Sequence, residues 1–226
     1  MNKTKIEWTD MTWNPIKGLC PMGCWYCYAR RFYKRFKWNP EIRLDEKELL
    51  KPLNLKKPKK IFVCSTIELF HPEIPRHFRN KIFDVMAVAN WHTYQILTKL
   101  PAFVDREMLA NVWLGTSATS FIGQEFEKIQ SLLKCKAKIR FVSLEPYLKP
   151  YYIKRERLSQ FDEWWLKDID WLIIGGITGV KGPRPTRDDI CDLIELAKNY
   201  CVPVFIKDNL ADIWGEPLIQ EFPKGD

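Results

Sequence analysis

Histidine is scarce in this chain of 226 residues: there are three, and none of His71, His77 and His92 stands at ligand spacing from the clustered cysteines. Long apolar runs are missing too. The longest, over 171–177, falls well short of the ~20 residues of a membrane-spanning helix. The first eight residues carry no apolar targeting core, so a cytoplasmic protein without a membrane partner is expected. Composition excludes disorder, with 46% hydrophobic against 28% charged residues. A second cysteine cluster is absent, since Cys64, Cys135, Cys191 and Cys201 lie scattered along the chain. The odd total of seven cysteines argues against a disulfide framework and for free thiols and metal ligands.

What is present centres on Cys20-Pro21-Met22-Gly23-Cys24-Trp25-Tyr26-Cys27-Tyr28, three thiols spaced C-x3-C-x2-C. A closed structural zinc site or an ordinary iron–sulfur cluster takes four protein ligands. Three thiolates therefore leave one metal position to a small molecule, the mark of a reactive centre. A zinc knuckle completed by one of the histidines is the rival reading. Net charge is +8, which favours polyanionic partners such as nucleic acid.

Along the chain, residues 6–18 read as a short strand leading to Gly18 and the cysteine loop. A helix follows from Tyr28, with Ala29, Phe32, Tyr33 and Phe36 on its apolar side and Arg30, Arg31, Lys34, Arg35 and Lys37 read as a solvated face in preference to a nucleic-acid stripe. A short helix is expected over 45–50, a strand over 60–65, and a helix opening at Pro75 with Phe78, Ile82, Val85, Met86 and Ala89 inward. Next come a strand over 93–97, a short helix over 101–110, a strand over 111–115 and a helix marked by Ile122, Phe126, Ile129 and Leu133. A strand over 139–144, a mixed, partly helical segment over 151–167 and a strand over 171–174 meeting Gly175-Gly176 follow. The last helix is capped by Thr186 and buries Ile190, Leu193, Ile194 and Ala197, and a strand over 202–206 ends at Lys207.

This alternation predicts a single α/β domain over 1–226, either doubly wound or a partial (βα) barrel of roughly six to seven parallel strands. In either architecture the strand exits gather the cysteine loop, Ser65, Lys99, Ser117, Glu145, Gly175 and Lys207 at one mouth. As isolated residues, Lys99, Glu145 and Lys207 read equally well as solvated rim charges. The segment 175–179 lacks the lysine and spacing of a phosphate-binding P-loop.

The cysteine loop with its aromatic Tyr26 before the third cysteine resembles the radical SAM superfamily. A wider likeness runs through Ile6-Glu7-Trp8-Thr9-Asp10, Trp13-Asn14-Pro15, Cys27-Tyr28-Ala29, Leu97-Thr98-Lys99, Val112-Trp113-Leu114-Gly115, 141–146 and 170–176. These elements resemble the phage Gp37/Gp68 family of three-cysteine-motif proteins (DUF5131), with a distant likeness to spore photoproduct lyase. The resemblance implies a radical SAM type barrel in which Cys20, Cys24 and Cys27 hold a [4Fe–4S] cluster and S-adenosylmethionine occupies the open iron. It implies reductive cleavage of that cofactor to a 5′-deoxyadenosyl radical acting on an unknown substrate, with nucleic acid or a nucleobase the leading class. A reductant protein such as ferredoxin or flavodoxin is the implied partner. Tyr26, Ser65, Ser117, Gly175 and Gly176 fall where the cofactor would be contacted, and Cys64, Lys99, Glu145 and Lys207 are the candidates for chemistry. Cys64 is the candidate hydrogen-atom donor, against the plainer reading of a core strand cysteine. The Gly-Gly-Glu-type turn common in the superfamily is replaced by Cys64-Ser65-Thr66, with Glu68 nearby. A non-catalytic, metal-stabilised nucleic-acid-binding module is the alternative, motivated by the +8 charge and by aromatics interleaved with cations from Trp25 to Trp38.

Overall fold

The structure is a computed structural model that describes residues 1–148 and 163–224. It is mixed α/β with mostly parallel strand pairing. The chain divides into two compact units, Met1–Leu114 with Lys136–Lys138, and Gly115–Cys135 with Ile139–Asp226. Among the described residues no helix is long and apolar enough to cross a membrane.

In the first unit the expected strand over 6–18 is broken into short pieces. Strand β1 (Asn2–Lys3) runs antiparallel to β2 (Met11–Trp13), and β3 (Ile16–Lys17) leaves the sheet to pair antiparallel with β4 (Arg43–Leu44). Pro15 between β2 and β3 has no N–H to continue a ladder, and its carbonyl instead accepts the Asp45 N–H at 2.7 Å. Strand β5 (Lys60–Val63) pairs parallel with β2 and with β6 (Thr93–Thr98), giving the order β1-β2-β5-β6. The strands β5 and β6 are mostly apolar and largely buried, as parallel strands covered on both faces require. Their core is built on Trp8, Trp13, Phe70, Tyr94, Ile82 and Met86.

Three helices decorate this unit. Helix α1 (Tyr28–Phe36) begins where expected but buries only Ala29. The spacing of Phe32 and Phe36 predicts an inward face, but both are exposed. Helix α2 (Glu46–Leu49) takes Asp45 as its N-cap. Helix α3 (Arg76–Val88) buries Ile82, Phe83, Val85 and Met86, with Phe78 only half-buried and Pro75 standing just before the helix. The expected helix over 101–110 is reduced to one 3-10 turn, Pro101–Phe103. Beyond it Asp105 is held by Arg76, Arg79 and Arg106, each with a nitrogen at 3.4 Å, and the chain has no regular element until Val112.

Strand β7 (Val112–Ala118) begins in the first unit and continues into the second, buried at all seven residues. The second unit follows the order β7-β8-β9-β10, with β8 (Ile139–Leu144), β9 (Trp171–Ile174) and β10 (Val204–Ile206) parallel in the pairings β8 to β9 and β9 to β10. Phe141, Trp171 and Phe205 form its aromatic core. Helix α4 (Gly123–Leu133) buries Ile129 and Leu132. Helix α5 (Arg187–Asn199) has the expected Thr186 cap, completed into a capping box by Asp189, and buries all four predicted residues. Helix α6 (Ala211–Trp214) follows β10 and has no counterpart in the sequence reading. The mixed segment over 151–167 lies mostly outside the described residues; its end is the 3-10 turn Glu163–Asp168.

Candidate metal centre

The cysteine loop joins β3 to α1. Gly18 opens it with φ of +122°, and a Cβ there would stand 2.7 Å from the Glu41 carbonyl oxygen, so only glycine lets the loop pass this close to 41–42. The Gly18 N–H donates to Tyr33 Oη at 2.8 Å and the Leu19 N–H to the Pro40 carbonyl at 2.9 Å. At the far end Cys27 is the N-cap of α1, its Sγ accepting the Arg30 N–H at 3.5 Å. The Arg30 guanidinium reaches back to the Cys20 carbonyl at 3.0 Å, closing the loop on itself.

Cys20, Cys24 and Cys27 are each half-buried. Burial pushes the Cys20 thiol above the ordinary thiol value, opposed by hydrogen bonding to the main chain of Met22 and Glu68. Among the described residues no group of three or more His, Cys, Asp or Glu side chains is arranged to hold a metal ion. A single tetrahedral zinc needs its sulfurs within about 4 Å of one another. A four-iron cluster takes each thiolate on a different iron and needs them spread further apart. Three half-buried thiols on one loop are donors that a [4Fe–4S] cluster would take, and among the described residues no histidine is grouped with them. His92 is buried with Nε2 3.2 Å from the Pro52 carbonyl, His71 Nδ1 accepts the Glu73 N–H, and His77 packs edge-on against Phe78.

Around the loop the first unit assembles polar residues from the strand exits. Tyr26 Oη accepts from Lys99 Nζ at 2.9 Å, and the ammonium also lies 5.2 Å from the ring centroid. Lys99 is fixed in turn by Glu68, whose carboxylate accepts the Lys99 N–H at 2.7 Å, the Thr98 hydroxyl at 2.5 Å and the Phe70 N–H at 3.2 Å. Glu68 is buried, and desolvation raises its pKa against the pull of these donors and of the Lys99 charge. Ser65 exchanges hydrogen bonds with the Asn14 amide at 3.1 and 3.2 Å, and its carbonyl accepts from Tyr28 Oη at 2.8 Å. Glu68, Thr98 and Asn14 thus act as the supports of the predicted residues.

Cys64 sits at the exit of β5 with φ of +54°, buried, its N–H on the Trp13 carbonyl at 2.8 Å. Desolvation pushes its thiol up to about 12, so it keeps its proton at neutral pH.

The remaining predicted residues lie within the second unit. Lys207 Nζ bonds Glu145 Oε1 at 2.6 Å, a well-shielded ion pair. Both side chains lie against Gly175, where a Cβ would come within 3.0 Å of Glu145 Cγ and Lys207 Cδ. The Gly176 N–H and carbonyl are both taken by the Asn209 amide at 2.9 Å, and the Gly175 N–H and carbonyl by Leu144 and Tyr147. Gly175 thus leaves room for the ion pair, while a Cβ on Gly176 would stand 2.9 Å from Leu210 Cδ2. Ser117 Oγ donates to the Glu145 carbonyl at 3.3 Å, and the Glu145-Pro146 peptide is cis.

A family described as protein of unknown function, DUF5131, matches residues 3–218. The chain belongs to the DUF5131 family. No curated protein and no solved structure matches it. The DUF5131 match takes in the cysteine loop, Glu68, Lys99 and the Lys207–Glu145 pair, so every residue described in these two sets falls inside the family region.

Proposed function

We propose that this DUF5131 protein is a radical SAM enzyme on a partial (βα) barrel, with Cys20, Cys24 and Cys27 as the ligands of a [4Fe–4S] cluster. The observation that carries the reading is the loop itself: three half-buried thiols between a strand and a helix N-terminus, spaced C-x3-C-x2-C and cross-tied by Arg30. Held by these three thiolates, such a cluster with S-adenosylmethionine bound and an electron from a ferredoxin- or flavodoxin-class protein would supply reductive cleavage of the cofactor and hydrogen-atom abstraction from a substrate. The chain's own part is orientation and shielding. Lys99 holds the Tyr26 hydroxyl, Glu68 holds the Lys99 main chain, and Asn14 holds Ser65. Cys64 keeps its thiol proton, the form from which a hydrogen atom is donated.

Anaerobic reconstitution with iron and sulfide tests the proposal. The expected product carries about four irons and four labile sulfides per chain, lost in Cys24→Ala, and releases 5′-deoxyadenosine from S-adenosylmethionine on reduction with dithionite. Zinc without sulfide in anaerobically purified protein overturns it and leaves the non-catalytic binding module. A full cluster that cleaves no cofactor under several reductants overturns the catalytic part.

A further inference from the structure

Helix α1 carries an aromatic stripe that the fold leaves outside. Tyr28, Phe32 and Phe36, at i, i+4 and i+8, stand on successive turns of one face and are 41%, 43% and 52% exposed. Trp38, 50% exposed, continues the stripe past the helix end, its ring stacked on Phe36 at 5.5 Å and 24°. The turn that brings it there is the left-handed Lys37, φ 50°. Lone exposed aromatics are ordinary; four in mutual ring contact within eleven residues are not.

The charge around the stripe says what it fits. Between Asp10 and Glu41 the chain has six cations, Lys17, Arg30, Arg31, Lys34, Arg35 and Lys37, and no acid. Arg31, Lys34, Arg35 and Lys37 are exposed, and Arg35 lies over the Phe36 ring at 5.3 Å. A second copy of this chain is disfavoured, because a two-fold contact would press one cationic face on another. A lipid surface is less well matched because α1 is nine residues long and has no Leu, Ile, Val or Met beside its rings to add buried apolar area. Flat rings interleaved with cations match a ligand that offers π-faces and phosphates together, and in a duplex those faces are already stacked.

We propose that the stripe Tyr28, Phe32, Phe36 and Trp38 is a stacking platform for single-stranded nucleic acid, with Arg31, Lys34, Arg35 and Lys37 on its phosphates. The inference is independent of what the cysteine loop holds. It replaces the solvated-face reading of these cations with the nucleic-acid stripe weighed against it, and adds the ring contacts and exposure that name the platform and its single-stranded ligand.

Fluorescence anisotropy of a labelled oligothymidylate with the full chain tests it. Binding should weaken with salt by about 0.7 log units per log unit of salt for each phosphate contacted. Trp38→Ala should weaken binding roughly 5- to 100-fold, while Trp38→Phe, which keeps a ring, stays within a few-fold of the parent. Arg31→Gln with Arg35→Gln should flatten the salt slope by about 1.4. The circular dichroism spectrum of each variant should match the parent, because these side chains are exposed. No oligonucleotide binding at low salt, or binding that Trp38→Ala leaves unchanged, overturns the proposal. So does tighter binding to the matching duplex, displacement of the oligonucleotide by phosphatidylserine vesicles, or self-association that Trp38→Ala abolishes.

Discussion

Replacing Glu68 with alanine strips three donors of their acceptor at once: the Thr98 hydroxyl, the Lys99 N–H and the Phe70 N–H. A buried donor left unsatisfied costs about 1–3 kcal/mol. The gross loss is therefore several kcal/mol. Against it stands the cost of burying a carboxylate, expressed in the raised pKa of Glu68, which the alanine variant no longer bears. Weighing the two, a net destabilisation of about 3 kcal/mol is expected, which for a chain of this length lowers Tm by about 6–12 °C. Glu68→Gln keeps an oxygen for the Lys99 N–H and should lose only about 1 kcal/mol. Thermal unfolding followed by circular dichroism measures both. Hydrogen exchange adds a local readout, since the Lys99 and Leu100 amides should exchange faster in Glu68→Ala while those of α5 stay unchanged. If Glu68→Ala melts within about 2 °C of the parent, water or rearranged side chains satisfy the three donors, and Glu68 is not the support of the Thr98–Lys99 turn.

In the second unit, a Cβ on Gly115 would lie 2.4 Å from Phe141 Cε2, inside a fully buried strand. Gly115→Ala should cost about 1–3 kcal/mol by urea denaturation, and adding Phe141→Leu should recover part of it by removing the ring edge. Asp105 gives a pH test: partial burial pushes its carboxyl up, but Arg79, Arg106 and Arg76 outweigh that and hold it below the ordinary aspartate value. A depressed folded pKa contributes stability above about pH 4 that is lost as pH falls through the lower folded value. Asp105→Asn should therefore have a lower urea midpoint than the parent at neutral pH, with the gap closing in acid.

Helix α5 was legible in the sequence because each of its signals is local: a Thr186 cap, acids in the first turn, and one apolar stripe. Strands β5, β8 and β9 were legible because buried parallel strands are continuous apolar runs. Helix α1 was half legible. Its periodicity marks a helix, but the same spacing describes a stripe turned inward or outward, and which one holds depends on what packs beside it. The stretch after Pro101 is not legible locally, because of the three arginines that hold Asp105 two are more than 25 residues away in sequence. The three cysteines stand out by spacing alone. Their supports do not: Glu68 reaches Thr98 over 30 residues and Lys207 reaches Glu145 over 62, separations no local pattern encodes.

The cap at Cys27 makes α1 a ruler. The third cysteine is fixed at one end of nine residues, about 13.5 Å of helix, and the Phe36–Trp38 stack at the other. No flexible joint intervenes, so length and phase are both set by residue count. One residue inserted in α1 would advance the rings by about 1.5 Å and swing them about 100° around the axis, carrying the stripe away from Tyr28 while leaving all three cysteines in place.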